Sequence, residues 1–317
     1  MKIEGDKTSV AAFIDYFPEG PVDEPTLVRS AEEFESLFGK ADLSNEPGCN
    51  VRQFFVNGGA EPWIVRLGGP RSAGASLGDS VRRTGMYALD RIAQVNLLCL
   101  PQPVDTLEAD AFLVEAGRYC ARRRAVYLAE VPRQTLALSE ITRWISQYGA
   151  WRSPAGHEAL LHNVTGFTHD LTPIEIEQLL DSGSKPLRET SAGRRVIWGV
   201  HTLSPEPEWQ YLHVRRLALY IEESIVRGTQ WATFEPNNEA LWARVRTRVH
   251  EFLFDVFKCG ALVGSKPSEA LFVTCDRSTT TQEDIDNNRC TIVVGFAVVK
   301  TAEFIVLRIH QGAGRTP

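Results

Sequence analysis

Glu303-Phe-Ile-Val-Leu-Arg-Ile-His310, close to the end of the chain, reads as a strongly apolar β-strand. Alternate side chains of a strand point to opposite faces, so Ile305, Leu307 and Ile309 share one face and Phe304 and Val306 the other. Only the polar tail Gln311-Gly-Ala-Gly-Arg-Thr-Pro317 follows. A terminal strand this apolar has to be paired, because an open apolar edge recruits other strands. Burying its aliphatic face gains roughly what ordering its backbone costs, so it has value only as part of a larger sheet. That sheet is either its own or, by strand addition, a neighbour's.

Working back from this strand, Thr291–Val299 and Ala270–Cys275 are two further apolar strands. Two amphipathic helices precede them, Tyr211–Arg227 and Asn238–Cys259. In the second, Leu241, Val245, Val249, Phe252 or Leu253, and Val256 form one apolar face, while Arg244, Arg248, Glu251, Asp255 and Lys258 occupy the rest. Asn237 or Asn238 is placed to cap its start, and Gly260 follows its last turn. Arg195–Val200 opens this half as a strand.

The first 150 residues alternate between the two periods. Strands are expected at Ser9–Ile14, Trp63–Leu67, Val95–Leu100 and Ala125–Glu130, and helices at Glu32–Gly39, Thr84–Ala93, Leu107–Arg123 and Ser139–Tyr148. Ser30-Ala-Glu-Glu33 has the form of a capping box. Such alternation implies an α/β fold of parallel βαβ units with helices on both faces. Residues 151–195 are rich in Gly, Pro, Ser and His, with one helical stretch at Pro173–Leu180 and a loop at Asp181–Pro186. The expected organisation is a body over 1–150, an irregular link over 151–195 and a C-terminal domain over 196–317.

Composition narrows the partners. Of 317 residues 43% are hydrophobic and 23% charged, as in ordinary globular proteins, and the net charge of −6 disfavours nucleic acid and anionic membranes. No apolar run approaches the ~20 residues that cross a bilayer, and Met1-Lys-Ile-Glu-Gly-Asp6 lacks a signal-peptide core, so a soluble chain made in the cytoplasm is expected. The six cysteines form no CxxC pair, and Cys99 and Cys275 sit in apolar runs, which suits a reducing compartment.

Four motifs invite a chemical reading. Gly74-Ala-Ser76-Leu-Gly78 matches GxSxG, but a nucleophile elbow needs a strand running straight into the turn, and a polar loop precedes it here. Gly260-Ala-Leu-Val-Gly264-Ser-Lys266 has the wrong spacing for a phosphate loop and follows a helix. Asp284-Ile-Asp286-Asn-Asn288 begins like a calcium loop but has Arg289 at the required glycine and Gly295 at the required glutamate. His157, His162 and His169 are spaced by five and seven, which puts no pair on one helical face. No catalytic, cofactor-binding or metal residue is assigned.

One resemblance runs through most of the chain. Gly193-Arg-Arg-Val-Ile-Trp-Gly-Val-His-Thr-Leu203, Tyr211-Leu-His-Val-Arg-Arg-Leu217, Tyr220-Ile-Glu-Glu-Ser-Ile225 and Thr229-Gln-Trp-Ala-Thr-Phe-Glu-Pro-Asn237 followed by Leu241-Trp242 resemble, in order, runs of contractile tail sheath proteins. Gly260–Gly264, Ala270–Asp276, Thr280–Asp286 and Ala302–Ile305 continue the match. In the first half Thr8–Ile14, Phe54–Gly59 with Val65-Arg66, and Asn96–Pro101 fit as well. The compact length and the Phe234-Glu-Pro-Asn237 run look most like the branch found in extracellular injection systems.

The resemblance implies a two-lobed α/β subunit with mixed sheets flanked by helices and an extended C-terminal strand arm. It implies a structural role in a sheath of stacked rings around an inner tube, contracting to drive the tube through a target envelope, as part of a phage tail or tail-like particle. Other copies or sheath paralogues, the tube protein and baseplate proteins would be the partners, with no cofactor. The expected inter-subunit arm is Phe304, Ile305, Val306, Leu307, Arg308, Ile309 and His310 within Ala302–Gln311, and the expected tube-facing residues are Arg244, Arg248, Glu251 and Lys258. The sequence departs from the family in having no N-terminal arm before Ile3-Glu-Gly5 and a short region between Arg133 and Trp151, which suggests a one-armed linkage or a shortened paralogue at one sheath end. Asn288 stands where the family often has Gly, and Asn tolerates positive φ. The rivals are a serine hydrolase using Ser76 with one of the three clustered histidines, and a monomeric interaction module whose last strand pairs internally.

Overall fold

The computed structural model describes residues 2–42, 45–101, 106–128, 171–181, 186–190, 193–199, 201–202, 206–298 and 304–313. The expected helix Ser139–Tyr148 and His157, His162 and His169 lie outside the described residues. The chain divides into two compact units, one of residues 9–213 and one of residues 1–8 with 214–317. The first eight residues, expected with the N-terminal body, thus belong with the C-terminal half.

The unit of residues 9–213 is built on β1 (Ala11–Asp15), β2 (Thr26–Leu27), β3 (Trp63–Arg66), β4 (Leu97–Cys99) and β5 (Val126–Leu128), in the order β2-β3-β1-β4-β5. β1 runs parallel to β3 and β4, and β4 parallel to β5, while β2 is an antiparallel edge on β3. The pleat sorts the side chains. Ile64 packs with Phe17, Val28, Phe34, Phe38 and Val51, with Phe13 against them, whereas Ala12, Ile14, Val65 and Leu98 join Met86, Phe112 and Tyr119. Both faces are therefore covered, which is why these strands read as short continuous apolar runs.

Local signals explain the helices. Ser30 accepts a hydrogen bond from the Glu33 N–H and starts helix Ala31–Phe38, but the Glu33 carboxylate reaches back to the Arg29 N–H, one residue earlier than a capping box requires. Helix Glu46–Val56 was not expected from periodicity. Its signal is Asn45, whose side chain accepts from the Gly48 N–H, with Pro47 in the first turn. The expected helix Thr84–Ala93 is a 3-10 helix, Gly85–Arg91, entered through Gly85 at φ 58 where the backbone of Gly78 crowds it. Arg195–Ile197 (β7) pairs antiparallel with an unforeseen strand, Leu187–Glu189 (β6).

The other unit carries helices Leu212–Gly228 and Glu239–Lys258 and an antiparallel sheet of β8 (Leu271–Thr274), β9 (Arg289–Ala297) and β10 (Phe304–Gly312), ordered β10-β9-β8. Helix Glu239–Lys258 is capped by Asn238, which accepts from the Leu241 N–H, and is stopped before Gly260 at φ 78. It buries Leu241, Trp242, Val245, Val249, Phe252, Leu253 and Val256, the expected face with both Phe252 and Leu253 in it. Asn288 takes φ 53 in the turn into β9.

Candidate functional site

The terminal strand is where one chain and the expectation part. β10 was expected to leave its body and complete a neighbour's sheet; here it lies antiparallel on its own β9 through nine residue pairs, from Phe304↔Ala297 to Gly312↔Arg289. The physical reason is proximity: a short connection, residues 298–303, joins the two strands, so closing the hairpin costs little chain entropy and no association entropy. The face assignment stands. Ile305, Leu307, Ile309 and Gln311 are buried, and Arg308 and His310 between them are exposed.

The end of β10 is tied down by polar contacts. The Thr229 hydroxyl, fully buried, donates to the Ile225 carbonyl at 2.7 Å and lies 3.1 Å from the Gln311 amide. The Ala313 N–H donates to the Asn288 carbonyl at 2.7 Å, and the Thr291 hydroxyl lies 3.1 Å from His310 Nδ1. β10 is nevertheless an edge: among the described residues no strand lies on its other side.

Of the four residues expected to face a tube, three come together. Arg244, Arg248 and Glu251 line a groove of about 410 Å³ with Trp231, Ala243 and Thr247. The Arg244 guanidinium sits 5.2 Å from the centre of the Trp231 ring and 2.8 Å from Glu235, and Arg248 pairs with Glu251 at 3.0 Å. Lys258 is elsewhere on the helix, with its ammonium 4.3 Å over the Phe254 ring and 3.6 Å from Asp255. Trp231 was not singled out in the sequence, although it lies in the Thr229–Asn237 run. Each of the two arginines is paired with a carboxylate, so this face is charge-balanced and its ion pairs, being exposed, are weak.

A contact that no periodicity foreshadowed holds residues 2–8 across helices Leu212–Gly228 and Glu239–Lys258. Arg227 holds both carboxylate oxygens of Asp6, the Asp6 N–H donates to Ser224 Oγ at 3.1 Å, and Arg216 donates to the Thr8 carbonyl at 3.2 Å. Lys2 pairs with Asp255 at 2.7 Å; the Lys2 hydrogen bond, with Lys258 nearby, holds that carboxylate below its usual pKa. Ile3 is buried, and Tyr220 closes on Gly5 so tightly that a Cβ there would overlap its hydroxyl.

The alternative chemistries lose their geometry. The segment around Ser76 is a short helix, Ala73–Leu77, capped by Ser72. Ser76 is 3% exposed and its hydroxyl donates to the Ser72 carbonyl at 3.1 Å, so its oxygen serves the helix backbone. Asp284 completes a capping box with Thr281 that starts the short helix Gln282–Asp286, and it pairs with Arg289 at 3.2 Å, so its carboxylate is committed to protein partners. Among the described residues no cluster of His, Cys, Asp and Glu could hold a metal ion.

Known proteins share this fold. Residues 204–312 match the family described as the phage tail sheath C-terminal domain. The tail sheath protein of Enterobacteria phage T4 is 23% identical over 159 residues, which is 50% of this chain but only 23% of that protein. The anti-feeding prophage helical sheath in its contracted state is 24% identical with a TM-score of 0.74, over 97% of this chain and 94% of that one. The sheath complex of the contractile injection system PVC, also contracted, gives 22% and 0.61 over 97% and 92%. The sheath tail protein of Desulfitobacterium hafniense gives 10% and 0.65 over 97% of both chains. Residues 204–312 thus match the phage tail sheath C-terminal domain, and the chain shares its fold with solved contractile sheath proteins over 97% of its length.

Proposed function

We propose that this chain is a structural subunit of a contractile sheath, assembling as stacked rings around an inner tube and contracting to drive the tube through a target envelope. The observation that carries the reading is the match to the sheath C-terminal domain over residues ending in β10, an apolar strand that is paired on one side and, among the described residues, open on the other. An edge of this kind supplies backbone donors and acceptors to a neighbouring copy, and it stays attached to β9 while the subunit bodies move. The inter-subunit segment is Phe304–His310, reached by pairing on its open side. The groove of Arg244, Arg248 and Glu251 faces the tube, where weak charge pairs suit a surface that must let go on contraction.

The chain acts without catalysis, is made in the cytoplasm and joins a phage tail or tail-like particle with baseplate proteins at one end. No helix among the described residues is long and apolar enough to cross a membrane. Co-expression with the tube protein followed by negative-stain electron microscopy tests the reading. Stacked rings or tubules are expected, and a chain that stays monomeric on assembled tube refutes it. The hydrolase reading has no support from the Ser76 geometry.

A further inference from the structure

We propose that residues 2–8 are a removable brace, a second tie that makes the two units of the chain unfold as one. The chain passes between the units twice, from Thr8 to Ser9 and from His213 to Val214. The second passage lies inside the first turn of helix Leu212–Gly228, where Leu212 and Val214 are both buried. The first passage is very short. On one side of it Arg216 holds the Thr8 carbonyl at 3.2 Å. On the other, the Val10 N–H donates to Asn96 Oδ1 at 3.0 Å, and the Val10 carbonyl accepts from the Asn96 and Leu97 N–H groups at 2.8 and 3.1 Å. Only Ser9 separates these anchors, so a pull on Val10 reaches residues 2–8 with almost no slack. None of this depends on the role in a sheath.

The seat of the brace is built into helix Leu212–Gly228. Thr8 meets Arg216, Gly5 meets Tyr220, Asp6 meets Ser224 and Arg227, and Ile3 meets Gly228. The helix positions recur at helical spacing on one face, so residues 2–8 run along the helix against its direction. Two glycines make the room. A Cβ at Gly228 would come within 2.6 Å of Ile3, and one at Gly5 would overlap the Tyr220 hydroxyl. Neither glycine has a positive φ, so it is the close approach, not the backbone conformation, that calls for glycine. Ser224, 1% exposed, accepts from the Asp6 N–H, and the Asp6 carboxylate, 11% exposed, is held by Arg227. Lifting the segment breaks these bonds and uncovers Ile3, so residues 2–8 leave together and not one by one.

With the brace seated, opening of one unit pulls on the other through both passages. With it lifted only the helical passage remains, and each unit opens at its own denaturant concentration.

Hydrogen exchange of the full-length chain, read by mass spectrometry across a urea series, tests this. In the wild type, peptides from β1, β3 and β4 and peptides from helix Glu239–Lys258 and β9 should lose protection at one common midpoint. Gly228→Leu fills the seat of Ile3; it should open residues 2–8 to exchange and split that midpoint into two. Ile3→Ala with Asp6→Ala alters residues 2–8 alone, leaves the helix as it is, and should do the same. Two midpoints in the wild type overturn the proposal. So does a single midpoint, shifted or not, in variants whose residues 2–8 exchange freely, because a chain that is merely weakened gives that result. Residues 2–8 still protected in both variants overturn the seat, and the brace with it.

Discussion

Trp242 donates its indole N–H to the side-chain oxygen of Asn237 at 2.7 Å, and the same amide donates to the Arg289 carbonyl at 2.9 Å. One buried asparagine, 3% exposed, therefore fastens the long helix to the start of β9. Asn237→Ala leaves an indole N–H and a carbonyl without their partner, so a loss of about 1–3 kcal/mol is expected in urea unfolding. A double-mutant cycle with Trp242→Phe should show coupling between the two sites; additive losses would mean that the amide does not bridge them.

The strap of residues 2–8 makes a sharper prediction. Gly5→Ala puts a methyl group into the Tyr220 hydroxyl, so the strap must lift and residues 2–8 should become susceptible to limited proteolysis. Tyr220→Phe removes the colliding oxygen and should restore part of the protection. If Gly5→Ala is protected as well as wild type, the close approach is absent.

For the terminal strand, packing and assembly should separate. Ile309→Ala empties a buried site, 3% exposed, and should cost about 2–4 kcal/mol in the isolated chain. Arg308→Glu lies on the exposed side and should change that stability by no more than ~0.5 kcal/mol. It should nevertheless reduce ring or tubule formation if the open side of β10 meets a neighbour. Normal tubules from Arg308→Glu would argue that the strand is used in another way.

Charge reversal in the groove addresses the tube. Arg244→Glu and Arg248→Glu together should weaken tube-templated assembly while leaving the fold intact, since both side chains lie at the surface and their pairs are weak. Lys258→Glu, away from the groove, should have a smaller effect. Assembly indifferent to the groove and sensitive to Lys258 would reverse the assignment.

Acid titration should report Asp284. Its carboxyl is held below the usual carboxylate range, first by the Thr281 N–H, then by the Thr281 hydroxyl and Arg289, against the opposing pull of burial. A lowered folded pKa means that the contribution is complete above the unfolded value of ~3.9 and disappears as pH falls through the folded one. Asp284→Asn should therefore flatten the stability profile on the acid side of pH ~4 and leave its shape near neutrality unchanged. An unaltered acid limb would show that the cap does not titrate.

Much of the architecture was legible without coordinates. The apolar stripe Leu241 to Val256 announced its helix and its buried face, since a helical period repeats within a few residues. The same holds for Ile305, Leu307 and Ile309. Gly260 marked one helix end and the pair Asn237-Asn238 the other, because capping is a contact between near neighbours; only the structure chose Asn238 as the cap. Helix Glu46–Val56 escaped because its cap at Asn45 and its Pro47 are not part of an apolar period. The 3-10 form of Gly85–Arg91 was hidden in the backbone crowding between Gly78 and Gly85.

The sequence alone determined most of the alternation of strands and helices, the inward faces of helix Glu239–Lys258 and of the last strand, and the likeness to sheath proteins carried by ordered runs such as Thr229–Asn237. The tertiary structure decided who meets whom: β10 with β9, Asp6 with Arg227, Trp231 with Arg244, and Asn237 with Arg289. Contacts within one turn or one pleat leave a periodic trace along the chain. Contacts between residues tens to hundreds of positions apart leave none, because they are fixed by how whole elements pack and not by any local pattern.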